Sequence, residues 1–504
     1  MADDKTDKTA HTDDAAKADA SVSTKPAEPK DDVVASRHQL RVGRQTLDYT
    51  ATTGRIVLRD EVYEDGKFTG FQAKAEISLT SYVVDTDDAT TRPVTFAFNG
   101  GPGSASVALH LGLLGPRRVE TGDAEAPARP PYALVDNPQS LLAVSDLVFI
   151  DPVSTGYSRA KEGTKPDEFL GYQGDIESVA ELIRLWTSRH KRWMSPKFVA
   201  GESYGTLRGA ALVEHLQSRH SMYLNGLILI SSVLDLGSID FDKQRNDRAH
   251  ALYLPTYAAI AQYHGKLGRT SLKKAIADAE AYAARDYPYV LSRGDRLTEK
   301  ERAAAVRKIA SLTGLTEDYV DRADLRIEHI RFFGELLRDE RRVAGRIDGR
   351  FSGPARSAIA EEMDADPSMD ALNGAYAAGW NHYVRDELGY ENDLPFELLS
   401  YKVNAAWSFK DFEGRPVDVS PKLERAMRAN PHLQVHVAYG YFDGATPHFA
   451  AEDVFAHLQI PDELRANIEH KYYDAGHMMY VHEPSRLQQS KDLAAFVTRA
   501  STTP

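Results

Sequence analysis

The sequence predicts an α/β protein with a mostly parallel central sheet, helices on both faces and a helical insertion. Short, fully apolar runs typical of buried parallel strands lie at Val94–Phe98 and at residues 147–150, 198–200 and 227–230. Amphipathic helical patterns separate several of these runs, whereas residues 240–401 show one helical pattern after another. Such alternation of strands and helices is typical of a parallel sheet enclosed by helices.

Further elements are predicted on both sides of the insertion. Residues 46–60 and 68–84 alternate as two long antiparallel strands do, and the parallel strand pattern resumes at residues 435–439 and Ile468–Tyr473. Asp175 is the predicted N-cap of an amphipathic helix, and Thr298 with Glu301 has the spacing of a capping box. The other predicted helices cover residues 271–284, 301–312, 319–338, 371–387 and 487–500.

We therefore divide the chain into four segments. Residues 1–32 contain no aromatic residue, leucine or isoleucine, so they cannot bury enough apolar area to offset chain entropy and are predicted to be disordered. Residues 33–239 and 402–504 form the two parts of the α/β core. Residues 240–401 form a helical insertion, which we expect to act as a lid over the C-terminal edge of the sheet.

The composition excludes several classes of function. The chain has 504 residues and a net charge of −13, which leaves no excess of basic residues to bind nucleic acid. It contains no cysteine and no His-Glu-x-x-His or similar ligand spacing, so we expect neither a metal nor a cofactor. No run approaches the roughly 18 apolar residues of a membrane span, and no secretory signal is visible. We expect a cytoplasmic location, with secretion left open for a processed form, and a homodimer is also left open.

The pentapeptide Gly201-Glu202-Ser203-Tyr204-Gly205 is the central motif, because it stands between a predicted strand and a predicted helix. In that context Gly-x-Ser-x-Gly is typical of a nucleophile elbow, in which a tight turn projects the serine hydroxyl. Glycines at both ends leave room for the turn. The turn also places the hydroxyl at a helix N-terminus, which favours developing negative charge. Ser203 is therefore the predicted nucleophile.

A serine nucleophile needs a histidine base and an acid that orients the base. In α/β-hydrolases both follow the serine in the chain, and the acid comes before the histidine. His477 is the predicted base because, of the 17 histidines, it alone follows a terminal strand through a glycine turn. Asp443, directly past the strand at 435–439, is the preferred acid. Asp235, past the earlier strand at 227–230, is its rival. These residues predict the α/β-hydrolase fold.

The oxyanion of an acyl-transfer intermediate needs backbone N–H donors near the nucleophile. The loop Phe98-Asn99-Gly100-Gly101-Pro102-Gly103 follows the first buried strand, and its glycines let backbone N–H groups approach a substrate oxygen. The N–H of Tyr204 is the second predicted donor. The loop lacks the spacing of a phosphate-binding P-loop, so nucleotide binding is set aside.

These motifs together resemble the serine carboxypeptidases of the α/β-hydrolase superfamily, and the absence of cysteine suggests a bacterial-type member. The resemblance extends from about Val94 to Pro484. It rests on the glycine loop, the segment 147–158, the elbow, Asp443 after Gly440, and Gly476-His477-Met478.

The resemblance implies hydrolysis of the last peptide bond of peptides that have a free C-terminus. Ser203 would attack, His477 would transfer the proton and Asp443 would hold the imidazole. The N–H groups of Gly101 and Tyr204 would bind the oxyanion. By the same likeness, Asn99, the Gly100 N–H and Glu202 would bind the terminal carboxylate of the substrate.

Glu202 can bind a carboxylate only if one of the two groups carries a proton, so we expect peptidase activity to fall as pH rises and Glu202 ionises. Two positions depart from the family pattern. Ala97 stands where the family usually has tryptophan, and Leu113 where it usually has a second glutamate paired with the first. The second departure removes the group expected to raise the pKa of Glu202.

Two alternatives stay open on the sequence alone. The same triad could serve an esterase or acyltransferase. The departures from the family pattern at Ala97 and Leu113 keep that hypothesis open. A catalytically silent protein that binds a partner through its lid is the other alternative, although the presence of Ser203, Asp443 and His477 counts against it.

Overall fold

The computed structural model describes residues 28–241 and 246–502. Most of the segment predicted to be disordered, residues 1–27 of 1–32, lies outside the described residues. Within the described part, Glu28 forms an ion pair with Lys161, and Asp32 already begins the first strand. No helix of the described ranges is long and apolar enough to cross a membrane.

A ten-stranded mixed sheet organises the molecule. Nine of its strands form a continuous path, and the short strand Arg159–Ala160 pairs beside it. The nine strands are β1 (Asp32–Val42), β2 (Gln45–Glu64), β3 (Lys67–Val84), β4 (Val94–Phe98), β5 (Asp146–Ile150), β6 (Lys197–Glu202), β7 (Gly226–Ile230), β8 (Gln434–Gly440) and β9 (Ile468–Tyr473).

The spatial order is β1-β2-β3-β5-β4-β6-β7-β8-β9. The first three strands form an antiparallel edge, and β3 pairs antiparallel with β5. From β5 to β9 every pairing is parallel. The two predicted long antiparallel strands and the predicted mostly parallel sheet are confirmed. An additional strand, β1, pairs with β2 along its whole length and is not among the predicted strands.

Helices cover both faces of the sheet. Successive side chains of a strand point to opposite faces, so an apolar strand is buried only when both faces are covered. In β6, Val199 packs into the core on one face, whereas Phe198 and Ala200 pack into the core on the other. The first face is covered by α1 (Tyr172–Arg189), α2 (Tyr204–His220), α10 (Ser420–Ala429), α11 (His448–Ala456) and the short α12 (Asp462–Arg465). The second face is covered mainly by α8 (Pro367–His382), α13 (Glu483–Ser501) and the π-helical turn His110–Leu114, which continues the short helix Val107–Leu109.

The insertion has a hydrophobic core of its own. Besides α8, its described residues form α3 (Asp247–Tyr263), α4 (Leu272–Arg293), α5 (Glu299–Thr313), α6 (Glu317–Arg322) and α7 (His329–Glu335). They also form a small hairpin, Arg342–Ala344 paired with Ser352–Pro354. The helix α9 (Tyr401–Ala406) begins at the end of the insertion. The remaining short hairpins, Arg117–Val119 with Leu134–Asp136 and Gly122–Asp123 with Ala126–Pro127, lie in the first part of the core.

Two local predictions are wrong. The single helix predicted over residues 319–338 is two helices, because Asp324 and Leu325 adopt left-handed φ angles of 49° and 64° and Glu328 caps the second helix. Asp175 is not the N-cap of α1, whose N-cap is Gly171. The Asp175 carboxylate instead forms a buried ion pair with Arg208 at 2.8 Å. The predicted capping box of Thr298 and Glu301 is present.

Candidate active site

The elbow joins β6 to α2 at Ser203. This residue has φ 61°, a left-handed conformation that a non-glycine residue adopts only where its surroundings enforce it. A Cβ atom at Gly201 would lie 2.0 Å from the carbonyl oxygen of Gly205, so no side chain fits there. The turn is thus closed by its two glycines, and it presents Ser203 to a cavity above the C-terminal edge of the sheet.

His477 and Asp443 stand on loops that follow the last two strands, β9 and β8. The Nδ1 atom of His477 lies 2.8 Å from Oδ2 of Asp443, and both residues are buried. The other Asp443 oxygen accepts hydrogen bonds from the N–H groups of Ala445 and Thr446 at 2.8 and 2.9 Å. These bonds fix the carboxylate, which in turn orients the imidazole.

Burial by itself lowers the pKa of the His477 imidazole, but the neighbouring Asp443 carboxylate outweighs it and the net shift is upward. Nδ1 also lies 3.3 Å from the hydroxyl of Thr446, so the nitrogen left to face a nucleophile is Nε2. Ser203 and His477 line the same cavity, and no hydrogen bond joins their side chains among the described residues. Catalytic hydrogen bonds often become short only in the substrate complex.

The rival acid, Asp235, is engaged elsewhere. Its carboxylate accepts a hydrogen bond from the N–H of Gly237 at 2.8 Å and forms an ion pair with Arg248 at 2.7 Å. The structure therefore brings His477 together with Asp443, the preferred acid, and gives Asp235 the role of a turn cap.

The glycine loop lies directly against the elbow. A Cβ atom at Gly100 would lie 2.5 Å from the backbone nitrogen of Tyr204 and 2.7 Å from the carbonyl oxygen of Glu202. Gly100, Gly101, Ser203 and Tyr204 all line the cavity. The predicted oxyanion donors are thus brought to the same cavity as the nucleophile. The Tyr204 ring packs against Trp407.

Glu202 is buried, and both of its oxygens are occupied by neutral donors. Asn99 Nδ2 donates to Oε1 at 2.7 Å, and the Tyr480 hydroxyl donates to Oε2 at 2.8 Å. Burial raises the pKa of Glu202 to about 7, although His477 and these hydrogen bonds oppose the rise. Leu113, which stands where a second glutamate was expected, is a buried apolar residue of the π-helical turn. The residue that contacts Glu202 is instead Tyr480, on the loop that follows His477.

The insertion supports the loop that carries His477. The backbone N–H of His477 donates to the carbonyl oxygen of Ile347 at 2.7 Å, and that of Gly476 donates to Asp348 at 3.2 Å. Asp348 forms a buried ion pair with Arg350 at 2.6 Å. Sequence reasoning missed these residues as well as Tyr480. The one signal for Tyr480 was its place three residues after His477 on the same loop.

The cavity has a volume of about 630 Å³ and is lined by both the core and the insertion. Helical spacing predicts that the aromatic and basic residues of α8 and its end pack inside the insertion rather than line a cleft, yet Tyr376 lines the cavity. Trp380 and Tyr383 are buried in the packing between insertion and sheet. His382 pairs with Asp386, and Arg385 bonds to Asn381. Among the described residues, no group of three or more His, Cys, Asp or Glu side chains could hold a metal ion.

The sheet order, the two helical layers and the elbow define the class of this protein as an α/β-hydrolase. Comparison with solved structures agrees: a prohormone-processing carboxypeptidase of Saccharomyces cerevisiae, Kex1Δp, matches with a TM-score of 0.50 at 14% identity. The match covers 89% of this chain and 91% of the yeast chain.

The family is identified by sequence. A family model described as serine carboxypeptidase matches residues 70–483, and the chain belongs to that family. Among curated proteins of Arabidopsis thaliana, serine carboxypeptidase-like 13 is 25% identical over 177 residues, covering 34% of this chain and 40% of the relative. Serine carboxypeptidase-like 16 is 27% identical over 201 residues, covering 37% and 43%. The matched segments thus span less than half the length of these relatives.

Proposed function

We propose that this protein is a serine carboxypeptidase that removes the C-terminal residue of peptides through an acyl-enzyme on Ser203. The observation that carries the proposal is the position of Glu202. This buried carboxyl group with a raised pKa adjoins the nucleophile and is bonded to Asn99 in the same cavity. Membership of the serine carboxypeptidase family supports it.

In the proposed reaction, Ser203 Oγ attacks the last peptide carbonyl while His477 Nε2 accepts its proton. Asp443 keeps Nδ1 protonated and stabilises the imidazolium that forms. The N–H groups of Gly101 and Tyr204 stabilise the oxyanion of the tetrahedral intermediate. His477 then protonates the leaving amine, the C–N bond breaks, and water hydrolyses the ester by the same route in reverse.

The substrate class follows from the carboxylate site. Neutral Glu202 donates its proton to one oxygen of the substrate carboxylate, and the Asn99 amide and the Gly100 N–H supply further donors. Ionised Glu202 would repel the same group. Because its pKa is raised to about 7, the donor form dominates below that pH and is lost above it. Peptides with a free C-terminus are therefore the proposed substrates, and their cleavage should decline as pH rises through about 7.

The test compares three substrates that share one N-blocked dipeptide: the free acid, its C-terminal amide and its methyl ester. The wild-type protein should release the last residue from the free acid at least about tenfold more efficiently than from the amide, since one hydrogen bond to a charged group is worth about that factor. The Ser203→Ala variant is the matched control and should be inactive on all three. Cleavage of the ester alone would contradict the proposal and would favour an esterase.

A further inference from the structure

Tyr376, on α8 of the insertion, has a hydroxyl group that the proposed mechanism does not use. The residue is only 3% exposed, and it lines the cavity together with Asn99, Gly100 and Glu202. Among the described residues, this hydroxyl has no hydrogen-bond partner. It is also not one of the solvent-inaccessible polar atoms that lack a partner, so its oxygen remains accessible. A buried donor that opens onto a cavity without a protein partner is available to a ligand.

The hydroxyl lies beside the group that binds Glu202. A Cβ atom at Gly112 would lie 2.8 Å from the Tyr376 hydroxyl oxygen and 2.4 Å from Cε2 of the Tyr480 ring. Glycine at position 112 therefore makes room for both tyrosines. Burial, followed by the nearby Glu202, raises the pKa of Tyr376, and Arg118 opposes this only in part. The hydroxyl thus stays a neutral donor throughout the working range of pH.

A peptide carboxylate that enters this cavity loses its hydration and needs several donors, since its two oxygens offer about four acceptor positions. The first part of the core offers Glu202, Asn99 and Gly100. Leu113, in the π-helical turn nearby, has no polar atom in its side chain. Tyr376 reaches the same cavity from the insertion, and its hydroxyl is a donor without a protein acceptor among the described residues.

We propose that the Tyr376 hydroxyl donates a hydrogen bond to the terminal carboxylate of the substrate, while Tyr480 acts as a positioning residue that holds Glu202. This inference rests on the proposed carboxypeptidase function. It assigns recognition of the free C-terminus partly to the insertion, through one acid and two tyrosines.

The experiment measures kcat and KM of Tyr376→Phe on the N-blocked dipeptide that the wild type cleaves fastest and on its C-terminal methyl ester. Loss of one hydrogen bond to a charged group should raise KM for the acid about tenfold, with kcat and the ester kinetics nearly unchanged. Tyr383→Phe is the matched control. It removes another buried tyrosine hydroxyl of the insertion, which is bonded to Tyr82 at 3.0 Å. The kcat and KM of this variant should be those of the wild type on both substrates.

The Tyr480→Phe variant tests the positioning role through a pH profile. The Tyr480 hydroxyl favours ionised Glu202, so its removal should move the alkaline fall of kcat/KM to higher pH. The groups that face Glu202 are His477, Asp443, Asn99, Tyr480 and Tyr376, and all but Tyr480 are retained in this variant.

The outcomes separate the two proposals. A wild-type protein that does not cleave the acid would overturn the proposed function and this inference together. An active wild type whose Tyr376→Phe variant keeps its KM would overturn the inference alone. Equal losses on acid and ester would also overturn it, because they would mean a purely structural role. If kcat/KM of Tyr480→Phe falls at the same alkaline pH as that of the wild type, the positioning role of Tyr480 is overturned.

Discussion

The two walls of the cleft are built by different means. On the core side, Ser203, Asp443 and His477 stand at the ends of parallel strands, where the sheet fixes their positions. On the insertion side, Ile347, Asp348 and Tyr376 reach the site through contacts between segments that lie far apart in the chain. The core thus carries the proposed reacting groups, whereas the insertion supports the loop of His477 and contributes Tyr376 to the cavity.

The largest expected effect is on the core side. Asp443→Asn should lower kcat about 10⁴-fold, because the amide no longer holds His477 in the tautomer that accepts the serine proton. Steady-state kinetics on the N-blocked dipeptide measure this effect. KM should change little, since Asp443 does not contact substrate. A loss of less than tenfold would mean that another acid orients the imidazole.

The next effect tests the support from the insertion. Asp348→Ala should destabilise the protein by about 3 kcal/mol, since it leaves the buried Arg350 without its closest carboxylate. Asp123, 3.1 Å from Arg350, can compensate only in part because it is more exposed. We also expect kcat to fall, because the His477 loop loses a contact. Urea unfolding and kinetics on the same preparation measure both quantities.

A matched control for that variant is Asp278→Ala, which breaks the exposed Lys274–Asp278 pair of 2.8 Å in α4 of the same insertion. It should cost less than about 1 kcal/mol and leave kcat unchanged. Equal destabilisation by the two substitutions would show that the Asp348–Arg350 pair is no special support for the site.

A smaller effect concerns the pH dependence of carboxylate recognition. Glu202→Gln replaces the titrating donor by an amide that stays neutral, so kcat/KM for the peptide should lose its fall as pH rises through about 7. The acid limb, set by protonation of His477, should remain. The measurement is kcat/KM across the pH range on either side of neutrality. If kcat/KM of Glu202→Gln still falls as pH rises through about 7, a group other than Glu202 causes that fall.

The smallest effect is expected at the rival acid. Asp235→Asn should change kcat by less than about twofold, because Asp235 caps a turn and pairs with Arg248 and makes no contact with His477. Stability should fall by less than about 1 kcal/mol, because the asparagine amide oxygen still caps the turn and only the part-exposed ion pair with Arg248 is lost. A loss of kcat as large as that of Asp443→Asn would reverse the assignment of the acid.

The same contrast explains what the sequence could predict. The elbow, the glycine loop and the two loops after β8 and β9 are short motifs whose local geometry demands particular residues, so the sequence alone suffices to locate them. The placement of Tyr480 against Glu202 depends on how two distant loops pack, and no local pattern encodes it. The break between α6 and α7 depends on two left-handed residues, Asp324 and Leu325, of types that do not forbid a helix.

The roles of the core residues are tested most directly by labelling with a peptidyl phosphonate that reacts with activated serines. We expect one phosphonate per chain, located on Ser203 by mass spectrometry of the digested protein. Labelling of His477→Ala should be at least about 10³-fold slower, because the serine loses its base. Labelling of a different serine, or equal rates in the wild type and His477→Ala, would contradict the assignment of Ser203 and His477 as nucleophile and base.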